Sequence, residues 1–346
     1  MMALDITSLI AFFIAFVGAM IIMPFTISTL KAMKAGQVIQ QEGPQAHAAK
    51  AGTPTMGGIG ILFGLLLGAG WFVCKEVAST AVQPQSPSMT IVFAVLILTL
   101  AYAVLGAADD YLTIRPRGGV RGIGSKPKFA LQFLIAIAFV AWLNYSGNMS
   151  TVIKLGSLFS FDLGWAYAPL AVLFITGMAN FVNITDGLDG LAAGLTIPLA
   201  LSLALIPALM GISGSSPYSC LLFAIAGACL AFLWYNYNPA KVFMGDTGSL
   251  AIGVMIPALA IVMKLEVFMI IAGMVFILDG LSSALQWAYF KYTRIRTGTG
   301  KRIFKMSPVH HHFELSGLPE QLVVVRFWIV GALFALLALL IAGLQL

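Results

Sequence analysis

The chain contains apolar runs that are too long and too free of charge for a water-soluble core. Residues 9–30 carry no ionisable side chain, and a run of that length spans the hydrocarbon of a bilayer as a helix. Comparable runs lie near 8–30, 55–73, 90–108, 129–146, 167–183, 191–209, 218–235, 249–263, 266–290 and 322–344, about ten in all. Lipid offers no hydrogen bonds, so each run must satisfy its own backbone, which a helix does. Pro24, Pro198, Pro207 and Pro257 fall inside these runs, where packed neighbours can satisfy the freed carbonyls. Only 9% of the 346 residues are charged, against about a quarter in soluble domains. The expected fold is an all-α polytopic membrane protein with about ten transmembrane helices, forming one domain over 1–346. The first run lacks a basic flank before it and is longer than a cleaved leader's apolar region, so it reads as a retained span. Cys74, Cys220 and Cys229 show neither metal-ligand spacing nor a paired framework.

Basic residues set the orientation. Of the 19 Lys and Arg, only Lys75, Lys154 and Lys264 fall on one side, which leaves 16 on the other. That group includes Lys31, Lys34, Lys50, Arg115, Arg117, Arg121, Lys126, Lys128, Lys241 and the set from Lys291 to Arg326. The positive-inside rule makes the richer side cytoplasmic, and an even span count then puts both termini outside. The cytoplasmic connections are 31–54, 109–128, 184–190, 236–248 and 291–321. Asp109, Asp110, Asp186, Asp189 and Asp246 all fall at span ends on that same side. The outer side holds Asp5, Glu76, Asp162 and Glu266. Carboxylates are costly near hydrocarbon, and five gathered at one face point to a cation site at the lipid–water boundary.

Five segments carry the chemistry. Asp109 and Asp110 end the third span. Adjacent residues diverge by about 100° on a helix, so the two can divide labour between a metal and a substrate proton. The plain alternative, a polar helix end, is weakened because anions are unfavourable at a helix C-terminus. In Asn183-Ile-Thr-Asp186-Gly-Leu-Asp189-Gly190 the polar residues recur every three positions and share a helix face, while Gly187 and Gly190 admit close backbone approach. The segment from Asn236 to Ser249 combines Lys241, Phe243 and Asp246 with glycines. Asp246 there suits a helix start, and Phe243 can stack a nucleobase.

Pro308-Val-His310-His311-His312-Phe-Glu314 lies in the long basic loop. Three consecutive His side chains diverge too far to share one metal, but each can donate to phosphate. Lys50-Ala-Gly-Thr53-Pro-Thr55-Met-Gly57-Gly58 opens the second span. Its Thr hydroxyls and backbone N–H groups suit a phosphate at a helix start, although the P-loop pattern is absent.

Taken together, in this order, these segments resemble the phospho-N-acetylmuramoyl-pentapeptide transferase family, also called translocase I. That family belongs to the polyprenyl-phosphate N-acetylhexosamine-1-phosphate transferase superfamily. The Asp109–Asp110 pair, the Asn183 to Gly190 block and the Phe243 to Ser249 block are the features shared across the superfamily. Gly52-Thr-Pro-Thr-Met-Gly-Gly58 and Pro308-Val-His-His-His-Phe-Glu-Leu315 point to the muramyl-pentapeptide branch. Asp279 in the ninth span departs from the Glu of many members, which leaves its role open between a structural contact and a groove lining.

The resemblance implies ten transmembrane helices, a homodimer, Mg²⁺ at a cytoplasmic cleft, and residence in a bacterial inner membrane. It implies transfer of phospho-MurNAc-pentapeptide from UDP-MurNAc-pentapeptide to undecaprenyl phosphate, giving lipid I and UMP, the first membrane step of peptidoglycan synthesis. On that reading Asp246 binds the metal, and Asp109 or Asp110 deprotonates the lipid phosphate. Lys50, Thr55, Lys128, His310, His311 and His312 hold phosphates, while Asn183, Asp186, Gly187, Leu188, Asp189, Asn236 and Phe243 form the nucleoside pocket. No nucleic acid partner is expected. A sister enzyme moving GlcNAc-1-phosphate from UDP-GlcNAc is the alternative, and a two-step route through a carboxylate nucleophile stays open. A transporter would place its coupling acids near mid-membrane, where only Asp279 lies.

Overall fold

The computed structural model describes residues 6–33, 35, 50, 52–78, 87–116, 121–212 and 214–345. Asp5, Lys34 and Arg117, used above for orientation, lie outside the described residues. Twelve α-helices follow in order. The first four are α1 (Ile6–Ala32), α2 (Gly58–Ala78), α3 (Pro87–Ile114) and α4 (Ser125–Tyr145). An antiparallel hairpin, β1 (Val152–Leu155) with β2 (Phe159–Asp162), pairs Val152 with Asp162 and Leu155 with Phe159. A single 3₁₀ turn then leads into α5 (Tyr167–Thr185), α6 (Leu191–Leu209), α7 (Ser216–Asn236) and α8 (Gly245–Met263). The chain ends with α9 (Glu266–Ala272), α10 (Met274–Thr297), α11 (Val309–Glu314) and α12 (Glu320–Gly343).

Among the described residues, 9 helices are long and apolar enough to cross a membrane, and α9 with α10 makes a tenth span bent by 77°. The fold is therefore the all-α polytopic membrane protein expected. The ninth run reads as one span in the sequence but breaks at Gly273, whose N–H still bonds Met269 O at 2.8 Å. Glycine is a poor helix former and a common cause of kinks. Beyond the bend α10 runs on to Thr297 and stops at Gly298, with Arg294 and Arg296 in its last turn, where cations oppose the helix dipole.

The bundle is wound around α8. Its most apolar stretch is 89% buried, followed by 78% for α7 and 72% for α6, against 28% for α4 and 22% for α12, so α8 is the axis, α6 and α7 share the interior, and α4 and α12 lie at the periphery. Lipid-exposed side chains such as Phe13, Ile21, Leu134, Leu333 and Leu336 cover that outer surface. Without a hydrophobic force between helices in lipid, close packing depends on small residues. Gly58 of α2 meets the backbone of Gly248, and Gly106 of α3 meets the backbone of Asp246, so closely that neither position admits a Cβ. These two contacts fix the first turn of α8 between α2 and α3. Cys74, Cys220 and Cys229 form no disulfide among the described residues.

Candidate active site

Asp110 lies one helical turn past Gly106 on the same face of α3, and both meet the start of α8. The first turn of a helix leaves backbone N–H groups without partners, and α8 has no side-chain cap of its own. Asp110 supplies one from outside. Its carboxylate accepts from Asp246 N at 3.0 Å, Thr247 N at 2.9 Å and Thr247 Oγ1 at 2.6 Å. The helix therefore begins at Gly245 rather than at Ser249, and Asp246 lies inside its first turn. Asp109 and Asp110 likewise lie inside α3, which continues to Ile114.

Asp109 turns the other way, as adjacent helical residues must. It accepts from Ile123 N at 2.8 Å and lies 3.4 Å from Lys128 Nζ. The Lys128 ammonium also contacts Asp246 directly. Asn183 donates to Asp246 Oδ1 at 2.7 Å and to Ser249 Oγ at 2.8 Å, so the end of α5 orients the same carboxylate. Asp186 ends α5 through its backbone N–H, and its side chain has no hydrogen bond among the described residues. Burial first, then the charges of Asp246, Asp110 and Asp189, hold its carboxyl well above the usual carboxylate range. A polar cavity of about 230 Å³ opens beside this cluster, lined by Asp109, Arg121, Ser125, Lys128 and Asn180 among others.

Several residues expected to face a ligand are instead tied to the protein. Asp189 is 2% exposed and accepts from Lys50 Nζ at 2.7 Å, Asn238 Nδ2 at 3.0 Å and Ala240 N at 3.0 Å. Glu320, at the start of α12, accepts from Lys50 Nζ at 2.5 Å and from Asp189 N at 2.9 Å. Asn236 accepts from Gly190 N at 2.9 Å and donates to Val242 O at 2.8 Å. Leu188 and Thr55 are buried. Phe243 N donates to Pro54 O, and Gly57 N donates to Phe243 O, both at 2.8 Å, so the segment before α2 pairs with the one before α8. Together these bonds form a joint that brings together the connections at this end of the bundle.

The three histidines take different partners. His310 is fully buried; its Nδ1 meets Asp279 Oδ2 at 2.8 Å, and its backbone N–H meets Asp279 Oδ1 at 3.2 Å. His311 Nδ1 meets Glu314 Oε2 at 2.6 Å. His312 turns toward the basic loop, accepting from Lys305 N at 3.1 Å. Asp279 also lines an apolar groove of about 960 Å³ between α10 and α12, with Leu278, Leu285, Phe313 and Phe327 among its other walls. It thus fills both of the roles left open by the sequence.

The carboxylates fit a hard divalent cation in their chemistry. Mg²⁺ takes oxygen donors, and it is commonly held by one or two carboxylates plus substrate phosphates rather than by an all-protein cage. Asp109 and Asp246 flank one ammonium here, a cation already balancing them. Among the described residues no three His, Cys, Asp or Glu form a ready-made cage.

Comparison with known proteins decides the family. The model for Glycosyl transferase family 4 matches residues 92–264, and signature 1 of phospho-N-acetylmuramoyl-pentapeptide-transferase matches residues 50–62. Phospho-N-acetylmuramoyl-pentapeptide-transferase of Shouchella clausii is 43% identical over 335 residues, 97% of each chain. The Bacillus pumilus and Bacillus subtilis proteins of the same name are 44% and 43% identical, each covering 94% of this chain and 95% of the relative. The chain belongs to the phospho-N-acetylmuramoyl-pentapeptide-transferase family. As a member of that family it is a multi-pass membrane enzyme that transfers a phospho-sugar.

The family signature at 50–62 covers Lys50 and Thr55, and the broader model covers every expected site residue from Asp109 to Asp246. Sequence reasoning passed over Glu320 and Thr247. An acid directly after Pro319 at the start of the last span is the helix-start signal that marks Glu320. Thr247 had no such signal, because its partner is 137 residues away.

Proposed function

We propose that this enzyme transfers phospho-MurNAc-pentapeptide from UDP-MurNAc-pentapeptide to undecaprenyl phosphate, with lipid I and UMP as products. One observation carries the reading: Asp109, Lys128, Asn183 and Asp246, drawn from four helices, converge beside a polar cavity at one end of the bundle. The opposing problem is charge. A lipid phosphate and a nucleotide diphosphate repel each other, and the site must neutralise both. Mg²⁺, when bound, would supply neutralisation and in-line alignment, and Asp246 with Asp109 would hold it.

The chain's own residues account for the rest. Asp110 fixes the first turn of α8 and so sets where Asp246 points. Asn183 holds the orientation of that carboxylate. Lys128, between Asp109 and Asp246 at the wall of the polar cavity, is positioned to hold a phosphate oxygen. Asp109 rather than Asp110 is the carboxylate positioned to accept a proton, because both Asp110 oxygens already accept from α8. A phosphate with a second pKa near 6 is largely dianionic at neutral pH, so orientation matters more than base strength. The turn from Asp186 to Asp189, with Phe243, stands beside this centre as the nucleoside side. His310 and His311 serve phosphate.

The cytoplasmic facing of this end is supported by the clustering of Lys50, Lys128, Lys241 and the basic end of α10 there, and it places both termini outside. The test is release of UMP by the purified chain from UDP-MurNAc-pentapeptide and undecaprenyl phosphate, with and without Mg²⁺, beside a UDP-GlcNAc arm. Mg²⁺-dependent turnover of the muramyl nucleotide alone is expected. Turnover of UDP-GlcNAc instead would replace the reading with the sister reaction.

A further inference from the structure

His310 and His311 meet at one point beside Gly187. His310 Nε2 is a buried ring nitrogen without a hydrogen-bond partner among the described residues. A Cβ placed on Gly187 would lie 2.6 Å from that atom and 3.5 Å from His311 Nε2. Both imidazoles therefore aim the same ring nitrogen at one point beside Gly187, which is itself exposed. Each ring is held from behind by a carboxylate on Nδ1: Asp279 of α10 for His310 and Glu314 of α11 for His311. The two rings lie edge to face, 4.2 Å between centroids.

A carboxylate facing Nδ1 accepts, so Nδ1 carries a hydrogen, and on His310 Nε2 is the ring atom without a partner among the described residues. In the imidazolium form Nε2 is a donor as well, and its charge is balanced by the carboxylate behind it. Two such nitrogens meeting beside a residue with no side chain make a cradle for an oxyanion. Gly187 follows Asp186 directly, which puts the cradle on the rim of the carboxylate cluster.

We propose that Asp279 and Glu314 are positioning residues that hold His310 and His311 with both Nε2 atoms on one substrate phosphate oxygen, in a gap that Gly187 keeps open. This rests on the phosphate role given above to the histidines. The phosphate belongs either to the nucleotide diphosphate or to the polyprenyl acceptor.

The test is a steady-state UMP-release series with each substrate varied in turn: Asp279→Asn, Asp279→Glu, His310→Ala, the double variant D279N/H310A, Glu314→Gln and Gly187→Ala. Removing an orienting carboxylate behind a working imidazole commonly costs about 10–100-fold, and D279N should fall in that range. D279E should recover most of the loss, and D279N should add nothing in the H310A background. A rise in KM confined to the nucleotide or to the lipid identifies which phosphate sits in the cradle. G187A should match H310A while keeping its thermal midpoint. Wild-type turnover by D279N, or losses from D279N and H310A that multiply while the midpoint drops, would overturn the proposal and leave Asp279 as packing. A wild-type chain that releases no UMP would instead remove the function on which the proposal stands.

Discussion

Helix α8 has a polar cluster at each end, and the two are built on opposite principles. At its start Asp109 and Asp246 flank the ammonium of Lys128, with Asp110 and Asp186 beside Asp246. At its end Lys264 donates to Glu266 Oε1 at 2.9 Å, to Tyr167 Oη at 2.7 Å and to Ser150 O at 2.8 Å, with Tyr167 also donating to Glu266. There Lys264 pairs with Glu266; burial pulls the Lys264 ammonium below its ordinary value, Glu266 pulls it back, and the charge of Lys154 adds to the fall. The far cluster balances its own charge and ties α5, α8 and α9 together. The near cluster gathers more carboxyl groups than the one ammonium bonded to it can pair, and that surplus is where the cation proposed above would act.

The sharpest way to break the contrast is Asp246→Asn. If the near cluster works through an added cation, losing several kcal/mol of charge stabilisation should cut UMP release roughly a thousandfold or more, and Mg²⁺ should no longer raise the thermal midpoint. Near-normal turnover would make the two ends alike. Asp110→Ala comes next. It strips two helix-start N–H groups and the Thr247 hydroxyl of their acceptor, a loss of about 2–4 kcal/mol that thermal unfolding in detergent should register.

Asp186 separates the clusters by pH. Its carboxyl is raised in the folded chain, so the protonated form contributes stability that is complete below the unfolded value, about 3.9, and is lost as pH rises through the raised one. Without divalent ions the thermal midpoint should fall across that rise, and Mg²⁺ or Asp186→Asn should flatten the slope. An unchanged slope in D186N would move the charge excess elsewhere. The smallest effect belongs to the far end. Lys264→Met should cost about 1–3 kcal/mol and leave the kinetics of UMP release at wild-type values. A kinetic defect there would tie the outer cluster to turnover.

Much of the arrangement was readable from residue order. Long apolar runs placed the spans, and the acids at their ends marked the face where Asp109, Asp110 and Asp246 meet. What escaped depends on contacts across distant segments. Nothing local says that Asp110 accepts from residues 136 and 137 positions away, or that Lys50 joins Asp189 to Glu320 across 270 residues. The break at Gly273 was hidden because a bent span and a straight one share the same hydropathy. The hairpin at 152–162 was hidden in an outer loop too short and mixed to show a period. His310 and His312 look equivalent in sequence, and only the packing of α11 against α10 separates a buried ring from one facing the basic loop.

The support Asp110 lends to α8 has a bearing on how variants of this enzyme are read. Two aspartates on different helices behave as one mechanical part, since whatever loosens the first swings the second. An inactive protein altered at Asp110 is therefore a broken bracket before it is a missing reagent. Assigning chemistry to that residue requires a substitution that leaves the bracket standing.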